Sequence, residues 1–185
     1  VAGDIQHDYT CFACSRETPR FDFARSAARY EGVVGEALRS LKYESALWLA
    51  DDLAELLLAC VRAEYSDVEF DFVTSVPLYP PRRRERGFNQ SAFLGTALAR
   101  RMKSLYKERA VRRVRPTISQ TGLTAPQRAA NVSGAFEAGL FARLIGKRIL
   151  LVDDVMTTGA TVNACAGALK KGGAEAVYVI TVARG

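Results

Sequence analysis

Arg148-Ile149-Leu150-Leu151-Val152-Asp153-Asp154-Val155-Met156-Thr157-Thr158-Gly159-Ala160-Thr161 is the stretch from which the fold can be read. Four consecutive apolar residues, Ile149 to Val152, predict a strand buried on both faces, as in a parallel sheet. Two acids follow where that strand should leave the sheet. A turn rich in hydroxyls and glycine comes next, and an Ala-rich helix is expected from about Thr161 to Lys171. In open α/β sheets, ligands lie beyond the carboxyl ends of the strands. Asp153 and Asp154 are therefore expected at a crevice, beside the start of a helix. Backbone N–H groups of the turn and of the helix N-terminus suit a phosphate. Thr157, Thr158 and Thr161 add hydroxyl donors, and Gly159 lets the backbone come close.

Three known patterns share this outline. A Walker B strand needs a G-x-x-x-x-G-K-[ST] loop elsewhere, and the chain has none: Gly146-Lys147 is followed by Arg148. A receiver domain carries acids near its start and a further Asp well downstream, whereas the last Asp here is Asp154. The third pattern is the phosphoribosyl-pyrophosphate signature of type I phosphoribosyltransferases: four apolar residues, two acids, a short spacer, then T-G-x-T. The stretch resembles it without a break from Ile149 to Thr161. The plain alternative is a strand, polar turn and helix with no ligand.

A chain of 185 residues predicts one α/β domain with an appendage. Its 49% hydrophobic and 25% charged residues are those of an ordinary globular protein. No apolar run approaches the length of a membrane span. No signal peptide is visible, although Val1 is not an initiator Met and a leader is compatible with that start. Four Cys, two of them in helical patterns, do not make a disulfide framework. A cytoplasmic protein is expected. The net charge of +6 is uneven: from Arg82 to Arg115, twelve Lys/Arg face only Glu85 and Glu108, a local +10 that leaves −4 elsewhere. Such a concentration fits a polyphosphate or nucleic acid partner. A solvated helix face and loop is the competing reading.

Before the signature, Cys11-Phe12-Ala13-Cys14 is a C-x-x-C knuckle, half of a zinc ribbon, since a structural Zn²⁺ site needs four ligands. Cys60 and Cys165 sit on apolar helix patterns and read as core. His7, the only His, cannot complete the set. Either a second pair lies upstream of Val1 or the knuckle is metal-free. A redox C-x-x-C lacks the preceding strand of a thioredoxin-like motif. Phe21 to Tyr30 reads as a short strand or arm. Val33 to Tyr43 and Leu47 to Arg62 are expected helices with apolar stripes, and Trp48 is expected to pack. Phe70 to Val76 is expected as the first core strand, ended by proline. The arginines Arg82, Arg83, Arg84 and Arg86 then form a cationic loop before a helix that begins near Asn89. This loop suits a pyrophosphate clamp. Ala110 to Arg115 reads as a short strand. Arg115 to Gly134 reads as a long loop with a brief helix near Pro126–Asn131, a length typical of a lid or binding loop. Ala176 to Val182 reads as the last strand. The order fits a parallel sheet with helices on both faces.

Three stretches together resemble the ComF family, a branch of the type I phosphoribosyltransferases. They are Val76-Pro77 through Arg86-Gly87-Phe88-Asn89-Gln90; Thr117, Gln120, Leu123, Arg128, Asn131 and Gly134-Ala135-Phe136; and the Asp153–Thr161 signature. Leu41-Lys42-Tyr43 and the knuckle add to the likeness. That family usually carries two C-x-x-C pairs, and only Cys11/Cys14 is present here. The resemblance implies a zinc-knuckle arm over residues 1–30, a remnant of a zinc ribbon with a structural Zn²⁺ on Cys11 and Cys14. Residues 31–185 would be the phosphoribosyltransferase-like domain.

The same resemblance implies a role in natural transformation: handling incoming single-stranded DNA beside a helicase-like competence protein, at the inner face of the membrane. It implies a pocket for phosphoribosyl pyrophosphate formed by Met156, Thr157, Thr158, Gly159, Ala160 and Thr161, with Mg²⁺ and the catalytic role on Asp153 and Asp154. As an active transferase, the protein would pass ribose 5-phosphate to an acceptor that the sequence does not name. Arg100, Arg101, Lys103, Arg112 and Arg113 are expected to lie away from the crevice and to be available to DNA phosphates.

Overall fold

The computed structural model describes residues 18–118, 122–140 and 142–185. His7, Cys11 and Cys14 lie outside the described residues. A parallel sheet of four strands runs in the order β1 (Phe23–Arg29), β6 (Ala176–Arg184), β5 (Arg148–Met156), β2 (Phe72–Ser75). Ile149, Leu150, Leu151 and Val152 are all fully buried. Alternate residues of a strand face opposite sides, so an unbroken apolar run requires cover on both.

The cover differs on the two faces. Leu150 and Val152 pack with Ile180 and Val182 against α1 (Gly32–Tyr43), α2 (Leu49–Glu64) and α4 (Gln90–Arg101), through Leu38, Leu57, Leu94 and Leu98. Ile149 and Leu151 pack with Val177 and Val179 against α6 (Ala160–Lys171), through Val162, Cys165 and Leu169. The second face also carries a small antiparallel pair, β3 (Val111–Arg113) and β4 (Phe136–Ala138), whose Val111 and Phe136 join that core. Between β3 and β4 the chain forms α5 (Ala125–Val132). Thr124 and Gln127 close a capping box at its start.

Several expectations shift. Phe23–Arg29 is an edge strand of the main sheet, in register with β6 from Phe23↔Tyr178 to Arg29↔Arg184. The sheet therefore begins inside the expected arm of residues 1–30, and β2 is not its first strand. The Ala110–Arg115 stretch yields a strand that does not enter the parallel sheet. Among the described residues it pairs with β4 alone, because the 3₁₀ turn Glu108–Ala110 follows the point where Tyr106 bridges Val73 at the sheet edge. The Arg82–Arg86 loop is helical: Pro80–Arg86 forms α3, with proline opening it and Gly87 closing it at φ +81°. Trp48 does not pack; its side chain is 73% exposed at the mouth of α2, with Tyr43 (71%) and Val33 (80%) also exposed on α1.

Gly139 holds the antiparallel pair to the turn before it. A Cβ there would lie 1.9 Å from the Arg109 carbonyl oxygen, far inside van der Waals contact. Gly139→Ala should therefore displace the β3–β4 pair and lower stability by roughly 2 kcal/mol, in the range of overpacked sites. Hydrogen exchange should show the loss concentrated at Val111–Arg113 and Phe136–Ala138. An unchanged urea midpoint would contradict this reading.

Candidate functional site: an acid pair beside a phosphate-type turn

β2 ends at Ser75, opposite Val152. Pro77 has no N–H with which to continue the ladder. β5 runs on, still paired with β6, until Met156 meets Arg184. Asp153 and Asp154 are thus part of the strand rather than beyond it, but they stand past the end of β2 in an open notch. The sequence placed the strand end at Val152 because the apolar run stops there; backbone pairing to β6 does not depend on apolar side chains.

The N-terminus of α4 fills the notch. Asn89 caps the helix, accepting from Ser91 N at 3.2 Å, and donates from Nδ2 to Val76 O at 3.0 Å, which ties the cap to the end of β2. The next two residues reach the acids. Ser91 Oγ donates to Asp153 Oδ1 at 2.8 Å, and Gln90 Nε2 donates to Asp154 Oδ2 at 3.1 Å. Backbone N–H groups add to this: Asp154 N donates to Asp153 Oδ1 at 3.0 Å and Val155 N to Asp154 Oδ1 at 2.8 Å. From α1, Lys42 Nζ approaches Asp154 Oδ2 to 3.6 Å. Arg86 Nη1 donates to Gln90 Oε1 at 2.9 Å and lies 6.0 Å from the Tyr43 ring, so the last arginine of α3 is coupled to the acid pair through Gln90.

Asp153 and Asp154 are both buried, each 7% exposed as a residue. Burial, with the Asp154 charge beside it, pushes the Asp153 carboxyl up to about 7, against the opposing pull of Ser91, the Asp154 N–H and Lys42. Arg113 feels Asp153 from the second face. Burial lowers its guanidinium from the ordinary value while the Cys165 thiol and the Asp153 carboxyl act to raise it. A carboxyl perturbed in this way within a notch marks a candidate functional group.

Beyond Met156 the turn Thr157-Thr158-Gly159 leads into α6. Gly159 sits at φ +78° and offers no side-chain cap to the helix, while Thr158 Oγ1 accepts from Ala160 N at 3.4 Å; the remaining N–H groups of the first turn suit an anion. Asp153, Met156, Thr157, Gly159, Ala160 and Thr161 all line one hollow. The loop that follows β3 reaches over it: Arg128 Nη1, on α5, donates to Thr157 Oγ1 at 2.7 Å while its Nε donates to Leu123 O at 3.0 Å.

Among the sequence-selected residues, Asp153, Met156, Thr157, Gly159, Ala160 and Thr161 share the hollow, while Asp154 and Thr158 are their chain neighbours and do not line it. The cationic residues scatter. Arg82 pairs with Glu85 at 3.3 Å and Arg83 with Glu108 at 2.7 Å. Arg83 and Arg84 line a separate groove rather than the hollow. Arg100 and Arg101 are ion-paired to Asp51, and Arg101 also to Glu55, across the α2–α4 contact. Arg112 pairs with Glu137 at 2.9 Å on the opposite side of the sheet. Arg113 is half-buried, stacked 5.4 Å from Phe136 and donating to Thr117 Oγ1. The expectation that these five cations share a surface away from the crevice does not hold for Arg113, which is half-buried against Phe136 and acted on by Asp153, nor for a face that the sheet divides. Sequence spacing cannot show which side of a sheet a helix or strand occupies.

Lys42, Gln90, Ser91 and Arg128 were not expected in the site. Lys42, Gln90 and Arg128 fall within the quoted motif stretches, but nothing in their spacing gave them a role. Ser91 carries no sequence signal beyond following an N-cap. Among the described residues no group of three or more His, Cys, Asp or Glu gathers as a metal cage. Two carboxylates suit Mg²⁺, which keeps several waters and shares phosphate oxygens with its substrate.

Comparison with known proteins gives the family. The phosphoribosyl transferase domain family matches residues 89–185, which span α4, the loop with α5, the acid pair and the 156–161 turn. Competence protein F of Haemophilus influenzae is 31% identical over 178 residues, covering 94% of this chain and 78% of that protein. DNA utilization protein YhgH of Escherichia coli K12 is 33% identical over 177 residues, covering 94% of this chain and 77% of that protein. Among solved structures, glutamine phosphoribosylpyrophosphate amidotransferase from B. subtilis aligns with a TM-score of 0.48 and 23% identity over 72% of this chain and 26% of its own. With its acid pair and phosphate-type turn inside the matched domain, and near-complete alignment to these relatives, the chain belongs to the competence protein F family of phosphoribosyl transferase-domain proteins.

Proposed function

We propose that the protein serves in the handling of incoming DNA, its relatives being named for competence and DNA utilization, and that its pocket takes phosphoribosyl pyrophosphate or a related sugar phosphate with Mg²⁺. The observation that carries the pocket is the first turn of α6, opened by Gly159 and lining one hollow with Asp153. The 5-phosphate would sit in the Thr157–Thr161 turn, held by its N–H groups and hydroxyls. The ribose hydroxyls would face the acids. Bound Mg²⁺ would neutralise the pyrophosphate oxygens. Ser91 and Gln90 hold the two carboxyls in place by hydrogen bonds made before any ligand arrives, which lowers the ordering cost of binding.

A working transferase, passing ribose 5-phosphate to an acceptor, is the second reading. The contact from Arg128 to Thr157 favours it, because it brings the β3–β4 loop over the turn. Exclusion of water is what a sugar-transfer site needs to avoid hydrolysis. In this reading Arg86, linked to the acid pair through Gln90, would be the α3 arginine nearest the leaving pyrophosphate.

Titration calorimetry with phosphoribosyl pyrophosphate, with and without Mg²⁺, tests the pocket. Thr158→Val with Thr161→Val removes two hydroxyl donors to a charged phosphate, each contributing about 1.5 kcal/mol or more. Affinity should fall by roughly a hundredfold. Unaltered affinity in the double variant would remove the phosphate from this turn.

A further inference from the structure

The two acids of the pair meet different neighbours. Asp153 lines the hollow at the 156–161 turn. Asp154 Oδ2 meets side chains from two helices: Gln90 Nε2 of α4 donates to it at 3.1 Å, and Lys42 Nζ of α1 stands 3.6 Å away. Arg86 of α3 is joined to the same oxygen through the Gln90 amide, whose Oε1 accepts from Arg86 Nη1 at 2.9 Å. An amide can accept from an arginine and donate to a carboxylate at once. One buried carboxylate thus gathers two cations from separate elements, α1 and α3.

Lys42 is not used up by this contact. A separation of 3.6 Å lies outside hydrogen-bond range, and Lys42 Nζ makes no hydrogen bond among the described residues. Its ammonium carries three N–H donors, and 33% of its side chain is exposed. Tyr43 marks where the two cations approach each other. Its exposed ring has Lys42 Nζ and Arg86 Cζ each 6.0 Å from its centroid. Two like charges brought to one ring repel each other; Asp154 and the ring face offset that repulsion. Arg82 and Arg83 of α3 differ, since Glu85 and Glu108 pair with them. Arg86 has no ion pair among the described residues, so the pair Lys42 and Arg86 faces a single acid, Asp154.

We propose that Lys42 is a ligand-binding residue of the acid-pair site, and that with Arg86 it grips the pyrophosphate group of the ligand. The inference rests on the sugar-phosphate pocket proposed for the 156–161 turn, and adds to it a cation supplied by α1. The two side chains divide the work: lysine acts on phosphate as a point charge, arginine as a planar fork. Asp154 positions both, Lys42 directly and Arg86 through Gln90. The competing account makes Lys42 a counterion only, present to offset the buried charge of Asp154. In that account its loss would disturb the acids and everything they hold, whether or not the ligand carries a pyrophosphate.

Calorimetric titration of the full chain with three ligands separates these accounts. Phosphoribosyl pyrophosphate and inorganic pyrophosphate are titrated with Mg²⁺; ribose 5-phosphate carries the 5-phosphate and the hydroxyls without the pyrophosphate. Lys42→Met keeps a long apolar stem and removes the charge. It should weaken both pyrophosphate-bearing ligands by about tenfold or more and leave ribose 5-phosphate within about twofold. Lys42→Arg, which restores the charge, should bind all three within about threefold of the unsubstituted protein. The proposal is overturned by pyrophosphate affinity unchanged in Lys42→Met, or by ribose 5-phosphate falling as far as the other two, which would leave Lys42 a counterion of Asp154. It is equally overturned if Lys42→Arg binds as weakly as Lys42→Met, or if pyrophosphate fails to bind the unsubstituted protein at millimolar concentration. Failure of the pocket reading looks different: the Thr158→Val/Thr161→Val variant would bind phosphoribosyl pyrophosphate as before, while pyrophosphate affinity would still depend on Lys42.

Discussion

Asp153→Asn should remove Mg²⁺-dependent binding of phosphoribosyl pyrophosphate and make the free protein more stable at neutral pH. The two effects have one cause. Asp153 is buried beside Asp154, and its carboxyl is raised from an ordinary value of 3.8 to about 7. A raised carboxyl means that the folded state holds its proton over a range where the unfolded chain has lost it. Stability therefore falls as pH rises through that range, from about 4 to about 7, and the full loss is present above it. Asn keeps an oxygen for the Ser91 hydroxyl and carries no charge, so the variant should lack this decline. Urea midpoints at pH 5 and pH 8 measure it: the unsubstituted protein should lose more between the two than the variant. Binding should weaken by at least about tenfold, because a charged acceptor for metal-bound water or ribose hydroxyls is gone. A variant that binds as before with Mg²⁺, or whose stability varies with pH as the parent's does, would remove Asp153 from this role.

The largest loss of stability is expected at the centre of β5. Leu151 is fully buried and packs in the core formed with α6 and the β3–β4 pair. Leu151→Ala deletes three carbons from a close-packed site whose neighbours are held by strands on both sides, so little of the gap can collapse. The expected cost is about 2 to 5 kcal/mol, a large share of the 5–15 kcal/mol that typically stabilises a domain. The urea midpoint should fall with little change of slope, since the same surface unfolds. A loss under about 1 kcal/mol would mean that this layer is loosely packed. Comparing the two variants separates site from scaffold: Asp153→Asn should lose ligand while remaining folded, and Leu151→Ala should lose ligand only to the extent that it unfolds.

Much of this arrangement can be read along the chain. The apolar run Ile149–Val152, the acids after it, the hydroxyl-rich turn and the helix behind it are local in sequence, so hydrophobic period and turn chemistry report them directly. The helix start at Asn89 is equally local, because an N-cap bonds to a backbone two residues away. The α5 helix within the long loop is marked by Thr124, Pro126 and Gln127, three residues that act on their own backbone. The likeness of three separate stretches to one family then joined these local readings into a fold, and the relatives and the domain match agree with it.

What the chain order could not disclose is which side of the sheet each cation occupies and what it meets there. Arg82 to Arg115 looks in sequence like one basic patch of +10. In the folded protein the sheet separates Arg100 and Arg101 from Arg112 and Arg113, and acids distant in sequence, Asp51, Glu55 and Glu137, take up three of the four. Ser91 and Gln90 reach the acids only because β2 stops one strand away, and Lys42 arrives from a helix more than a hundred residues earlier. Local pattern determines which backbone forms a strand, a cap or a turn, because those bonds close within a few residues. The tertiary structure alone decides which charges are neutralised and which carboxyl is raised, because burial and Coulomb interaction depend on distance through space and on the water excluded between groups.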